Sequence, residues 1–148
     1  MDMNLNDRAI TLNDLANSYA MKMQYSKAIE RYREALALYI ELAKNRPVDY
    51  GIYIAHVFSN LSIIYLHLQK YEESEELYQN ALRMHRVLSK HNPNRYAVEL
   101  AQCLVDGVLY LKQHSFTLYE AEMAINTITL DCETDKLVRV IRKLHTVS

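Results

Sequence analysis

The sequence predicts an all-α fold, an α-solenoid of three stacked antiparallel helix pairs followed by a C-terminal capping helix. Three observations carry this expectation. First, the stretch Phe58–Pro93 slides back by 46 residues onto an earlier stretch without a gap. Leu61, Tyr65, Tyr71, Glu76, Tyr78, Ala81, Leu82, Leu88, Lys90 and Pro93 then fall on Leu15, Tyr19, Tyr25, Glu30, Tyr32, Ala35, Leu36, Leu42, Lys44 and Pro47. Those are ten identities, where average composition gives about two. A fixed period of this size points to stacked helical repeats. Second, apolar residues recur at steps of three and four along most of the chain, the spacing that gives a helix one apolar face. Third, the chain has only 2 Gly and 2 Pro in 148 residues, too few to turn the many corners of a sheet protein.

The elements follow in order. From about Asn6 to Met23, the stripe Ala9, Leu12, Leu15, Ala16, Tyr19 and Met23 predicts a first A helix. Tyr25 to Lys44 continues with Ala28, Tyr32, Ala35, Leu36, Tyr39, Leu42 and Ala43, a first B helix stopped by Pro47, because the residue before proline is pushed out of the α region. The link around Met23 and Gln24 is so short that the two helices must fold back on each other. A second A helix is expected from about Val48 to Gln69 with Ile54, Val57, Phe58, Leu61, Tyr65 and Leu68 on its stripe. The second B helix opens with Glu72, Glu73, Glu75 and Glu76, whose charge suits a helix N-terminus. Ala16 and Ala28, with Ser62 and Ser74 in the copy, mark places where two helix backbones approach closely.

A third, degenerate repeat begins near residue 94. Tyr96 and Ala101 repeat Tyr50 and Ala55 at the same offset, and Leu100, Leu104, Val108 and Leu111 form a third A stripe. Beyond Gln113 a helical pattern persists but no single offset aligns it, as expected of a terminal repeat. The cap helix is placed at about 134–146, with Thr134 as N-cap, the apolar stripe Leu137, Val140, Ile141 and Leu144, and an outer face of Lys136, Arg139, Arg142 and Lys143. These boundaries make a single domain over 1–148, with repeat one at about 6–47, repeat two at about 48–93 and repeat three at about 94–130.

At these positions the chain resembles a tetratricopeptide repeat. Leu15, Ala16, Tyr19, Tyr25, Ala28, Tyr32, Ala35 and Pro47 occupy the motif positions of one repeat. Leu61, Ser62, Tyr65, Tyr71, Ser74, Tyr78, Ala81 and Pro93 occupy those of the next. The period departs from the usual 34 or so residues; the extra residues lengthen the helices, which resembles arrays in bacterial signalling and regulatory proteins and in kinesin light chains. The resemblance implies a right-handed superhelix whose A helices line a concave groove for a protein or peptide partner. Carried over by position, the groove residues are Asn13, Asn17 and Met21 in the first repeat, His56, Ser59, Ile63, Leu66 and His67 in the second, and Lys112 in the third. Chaperone-binding members of the family clamp a peptide carboxylate with lysine, asparagine and arginine side chains. Here Ile10 and Asp14 stand at the first two of those positions and only Asn60 matches, so chaperone tails are not the implied partner.

Composition excludes several functions. The formal charge is -1, with both signs mixed among 24% charged residues, so nothing attracts a polyanion and no nucleic-acid partner is expected. Neither a signal peptide nor an apolar run of membrane-spanning length is present, which predicts a cytoplasmic protein with no membrane partner. The 2 cysteines have neither the number nor the spacing of a disulfide framework or a zinc site. His56 and His67 share a helix face but lie about 16 Å apart along it, too far to share one ion. No metalloprotease, phosphate-loop or nucleophile motif occurs. Cys103, Asp106 and His114 cannot converge as a triad from one helix. No enzyme, no cofactor and no metal site is expected. The function predicted is a non-catalytic scaffold or adaptor that binds a peptide segment in its groove. The competing expectation is a structural homo-oligomer, for example a homodimer, assembled through the repeat ends or the convex face.

Overall fold

A computed structural model describes residues 3–111, 116–126 and 132–147. Among the described residues there are seven helices and no strand: α1 (Leu5–Met21), α2 (Tyr25–Ala43), α3 (Pro47–His67), α4 (Tyr71–His91), α5 (Pro93–Tyr110), α6 (Phe116–Ile125) and α7 (Cys132–Val147). None of them is long and apolar enough to cross a membrane. The chain divides into two compact units, Met1–Ala81 and Leu82–Ser148, with the division falling inside α4.

Both prolines open helices. Pro47 occupies the first turn of α3 and Pro93 that of α5, where the missing N–H has no intrahelical partner to lose and the fixed φ suits the helix. Pro47 therefore starts the next A helix, whereas α2 has already ended at Ala43. Asparagines cap two of the A helices: the Asn4 side chain accepts from the Asp7 N–H at 2.8 Å, and that of Asn92 accepts from the Arg95 N–H at 3.3 Å. Each satisfies an N–H that the helix itself leaves unpaired.

The two A-to-B turns of the first unit share one construction. Met23 and Gln69 both adopt φ 59. The Met23 N–H reaches the Ala20 carbonyl at 3.0 Å and the Gln24 N–H reaches that of Tyr19 at 2.9 Å. In the second turn the Gln69 N–H reaches Leu66 at 3.0 Å and the Lys70 N–H reaches Tyr65 at 2.9 Å. This is the Schellman termination, which satisfies the last carbonyls of a helix and turns the chain sharply. It holds each pair antiparallel, although neither left-handed position is a glycine.

Within the first unit, α1 packs on α2 and α2 on α3. Ala9, Ala16, Ala28 and Ala35 are all fully buried, and Tyr32 and Tyr39 nearly so. Small residues let the backbones close, and the tyrosines fill the wider spaces between them. The second repeat adds a feature that residue size alone does not predict: the buried Ser74 hydroxyl donates to the Ser62 carbonyl at 2.7 Å, joining α4 to α3. Tyr39 also stacks on Tyr53 of α3, with ring centroids 5.3 Å apart. The expected α1 stripe is only partly interior: Leu12 and Tyr19 are half-buried, while Leu15 and Met23 are exposed. Leu68, at the end of the α3 stripe, is exposed as well. Both Met23 and Leu68 belong to the turns, where the helical face has ended.

In the second unit α5 packs on α6, and α7 covers both. Leu100, Leu104 and Val105 of α5 are buried, as are Leu118, Ala121 and Ile125 of α6 and Leu137 and Ile141 of α7. The cap helix begins at Cys132, two residues before the N-cap expected at Thr134. Its stripe holds at Leu137 and Ile141, but Val140 is exposed. The third B helix is short, 10 residues against 19 and 21 in the other two.

Candidate functional site

The first unit contains a pocket of about 150 Å³ bounded by Ala20 of α1, Tyr25 and Tyr32 of α2, and Asn60, Ile63, Ile64 and His67 of α3. Its polar centre is the Tyr32 hydroxyl. That hydroxyl donates to the Asn17 Oδ1 on α1 and is hydrogen bonded by the Asn60 side chain on α3. Burial pushes the phenol up to about 12, while the Asn60 hydrogen bond pulls the other way. Tyr32 thus stays a neutral donor and pins two asparagines from successive A helices on either side of itself.

An asparagine amide offers two N–H donors and one carbonyl acceptor. The bond from Tyr32 engages the Asn17 carbonyl and not its N–H groups; Asn60 lines the pocket itself. Beside this polar centre, the Tyr25 and His67 rings stack with centroids 5.7 Å apart and planes 6° from parallel. Ile63 and Ile64 form the apolar wall. The pocket thus combines an amide, a phenol, a flat aromatic pair and an aliphatic wall.

Of the residues expected from sequence, the structure brings Asn17, Ile63 and His67 together around Tyr32. Asn13, Asn17, Met21, His56, Ser59 and Leu66 do not line this pocket; Asn17 reaches it only through the bond from Tyr32. Met21 stands out into solvent at 86% exposure, His56 is exposed, and Asn13, Ser59 and Leu66 are half-buried. Lys112 lies outside the described residues. Sequence reasoning missed Tyr25 and Tyr32 as groove residues because both are repeat-motif positions and read as core. The signal was the amphipathic character of tyrosine, whose ring packs while its hydroxyl reaches a polar partner. A further link between α2 and α3 is made by Arg33, whose guanidinium donates to the Tyr65 hydroxyl at 2.6 Å.

Two titratable groups of α5 are shifted by burial. The Cys103 thiol is buried on α5, and burial, with the nearby Asp106 carboxylate adding to it, pushes it up to about 12. Such a thiol stays protonated and is a poor nucleophile. Asp106 is raised by burial, offset by a hydrogen bond from the Gln102 side chain at 2.8 Å. His114 lies outside the described residues. Among the described residues, no three His, Cys, Asp or Glu side chains converge as metal ligands.

Comparison with known families gives one match: residues 8–47 and 54–94, together more than half of the chain, match the family model described as tetratricopeptide repeat. No curated protein matches the sequence.

Proposed function

This chain belongs to the tetratricopeptide repeat family, and on that premise we propose that it is a non-catalytic adaptor holding an extended peptide segment of a partner protein against α1 and α3. Repeats of this family generally mediate protein–protein interactions. The observation that supports this site is the Tyr32 hydroxyl held between Asn17 and Asn60. It fixes two amides whose remaining donors and acceptors suit a peptide backbone. Ile63 and the Tyr25–His67 stack then supply an apolar place for one side chain of the bound segment.

The test is selection of binding peptides from a random displayed library against the folded full-length chain, followed by affinity measurement on variants. Ile63→Glu and Asn17→Ala should each weaken the selected peptides by about tenfold or more, with circular dichroism unchanged. If the selected peptides bind both variants as they bind the parent chain, the groove is not the site. A second reading, self-association through the first repeat, has support from Leu5, Ile10 and Leu15, which α1 leaves exposed. Mass in solution separates the two: a dimer dissociated by Leu15→Glu and indifferent to Ile63→Glu would favour self-association.

A further inference from the structure

The second unit carries another concavity, built from none of the groove residues. It is an open cleft of about 620 Å³ with walls from α4, the start of α5, and α6. Its floor is apolar, formed by Pro93, Leu100 and Ala124. On the α6 side, Tyr119 and Met123 line it one helical turn apart and are exposed at 59% and 70%. On the α4 side stand Arg86 and Lys90, also one turn apart and so on the same face of the helix.

The charges are arranged unequally. Arg86 spans the cleft to Glu120 of α6 with two hydrogen bonds of 2.8 Å each, Nε to Oε1 and an Nη to Oε2. This bidentate pair neutralises itself and ties the two walls together. Lys90 is exposed and makes no ion pair among the described residues. The cleft therefore presents an apolar floor with, among the described residues, one positive charge on its rim that no carboxylate pairs. The Tyr119 ring also packs against that of His145 on α7, with centroids 5.0 Å apart.

We propose that this cleft between α4 and α6 docks an amphipathic helix of a partner protein, one whose apolar stripe is flanked by an acidic residue that pairs with Lys90. The cleft runs open along two helices, so a small molecule would keep too much of its surface in water to bind well. A helix lying in such a groove buries residues at i, i+3 or i+4, and i+7. Tyr119 and Met123 offer those anchors an aromatic ring and a thioether to pack against, and the thioether of Met123 adapts its shape to the incoming side chain. The charge at Lys90 selects among apolar helices: one with a carboxylate beside its stripe gains a pair, and one with a cation there meets repulsion.

The experiment uses the full-length chain and a displayed library of helical peptides with a fixed leucine stripe and randomised flanking positions. Selected peptides should be enriched in Asp or Glu at one flanking position. Their binding should weaken by about tenfold or more on Met123→Glu and remain unchanged on Ile63→Glu. On Lys90→Glu, the preference at that flank should reverse from an acidic to a basic residue. Met123 and Lys90 are both exposed, so neither change disturbs the core, and circular dichroism checks this. The proposal is overturned if the peptides bind Met123→Glu and Lys90→Glu as they bind the parent, if they carry no acidic preference, or if Ile63→Glu abolishes binding. It is equally overturned if the chain alone is a dimer that Met123→Glu dissociates, which would make a second copy the occupant.

Discussion

Replacing Tyr32 by Phe tests whether the hydroxyl at the centre of the α1–α3 pocket holds the first unit together as well as orienting two amides. The ring of Tyr32 is buried at 2% exposure, and Phe refills that space. What disappears is the bond to Asn17 and the bond with Asn60. Each hydrogen bond of this kind is worth about 1 kcal/mol net, so the two together set an upper value of about 2 kcal/mol. Asn17 and Asn60 are only half-buried, so water recovers part of the loss, and the expected destabilisation is roughly 1 to 2 kcal/mol. Tyr39→Phe is the matched control. Tyr39 is just as buried and is raised to about 12 chiefly by burial, with no hydrogen bond among the causes, so losing its hydroxyl should cost close to nothing. In urea, with a slope of about 2 kcal/mol per molar, Tyr32→Phe should lower the midpoint by roughly 0.5 to 1 M and Tyr39→Phe should leave it in place. Equal midpoints for the two variants would refute the view that the Asn17–Tyr32–Asn60 bridge is structural. Peptides selected on the groove should also bind Tyr32→Phe more weakly, because its asparagines are no longer pinned.

Other expectations follow from the same contacts. Ala28→Leu should destabilise by roughly 1 to 3 kcal/mol through overpacking, read by urea unfolding, because Ala28 is fully buried. Ser74→Ala at the corresponding place in the second repeat should cost only about 0.5 kcal/mol: the lost bond to Ser62, worth about 1, is partly offset by the better helix propensity of alanine. Gln69→Gly should stabilise by roughly 0.5 kcal/mol, since relief of the left-handed position is partly cancelled by a freer unfolded chain; a lower thermal midpoint would contradict the turn geometry. For pH the sign is fixed by the raised phenols. Tyr32 and Tyr39 move from 10.0 to about 12 on folding, so the unfolded chain releases these protons first. Their contribution is complete below pH 10 and is lost as pH rises towards 12; Tyr39→Phe should flatten that decline in a series of alkaline melts.

The fold was legible because the repeat stated each structural requirement twice. Leu61 on Leu15 or Tyr78 on Tyr32 would be weak evidence singly, but a shared offset means that whatever packs around one copy packs around the other. The reading failed where a residue's neighbours differ between copies. Leu61 is buried, whereas Leu15 at the same repeat position is exposed. The stripe on α1 looks like the stripe on α3, but periodicity cannot say what covers it. The turns hide for another reason: Met23 and Gln69 stand where glycine is the usual signal, and only the backbone reveals that both take the left-handed conformation.

The candidate site was less legible, and the reason lies in tyrosine. Helical spacing sorts residues into an inward and an outward face, and the resemblance to a tetratricopeptide repeat then implies a groove holding Asn17, Ile63 and His67 with Met21 and His56. It does not show where a side chain of the neighbouring helix emerges between them. Tyr32 belongs to α2 and packs as core, yet its hydroxyl reaches through to Asn17 and Asn60. Of the two, Asn17 is among the expected groove positions, and Asn60 is the single match to a carboxylate clamp. Around Tyr32, the same Asn60 completes a different arrangement, neutral and amide-rich, and without the cluster of cations that a carboxylate tail requires. A groove of this chemistry would select the partner by the course of its backbone and the shape of one side chain rather than by charge, which is why substituting Ile63 and Asn17 is a sharper test of it than changing ionic strength.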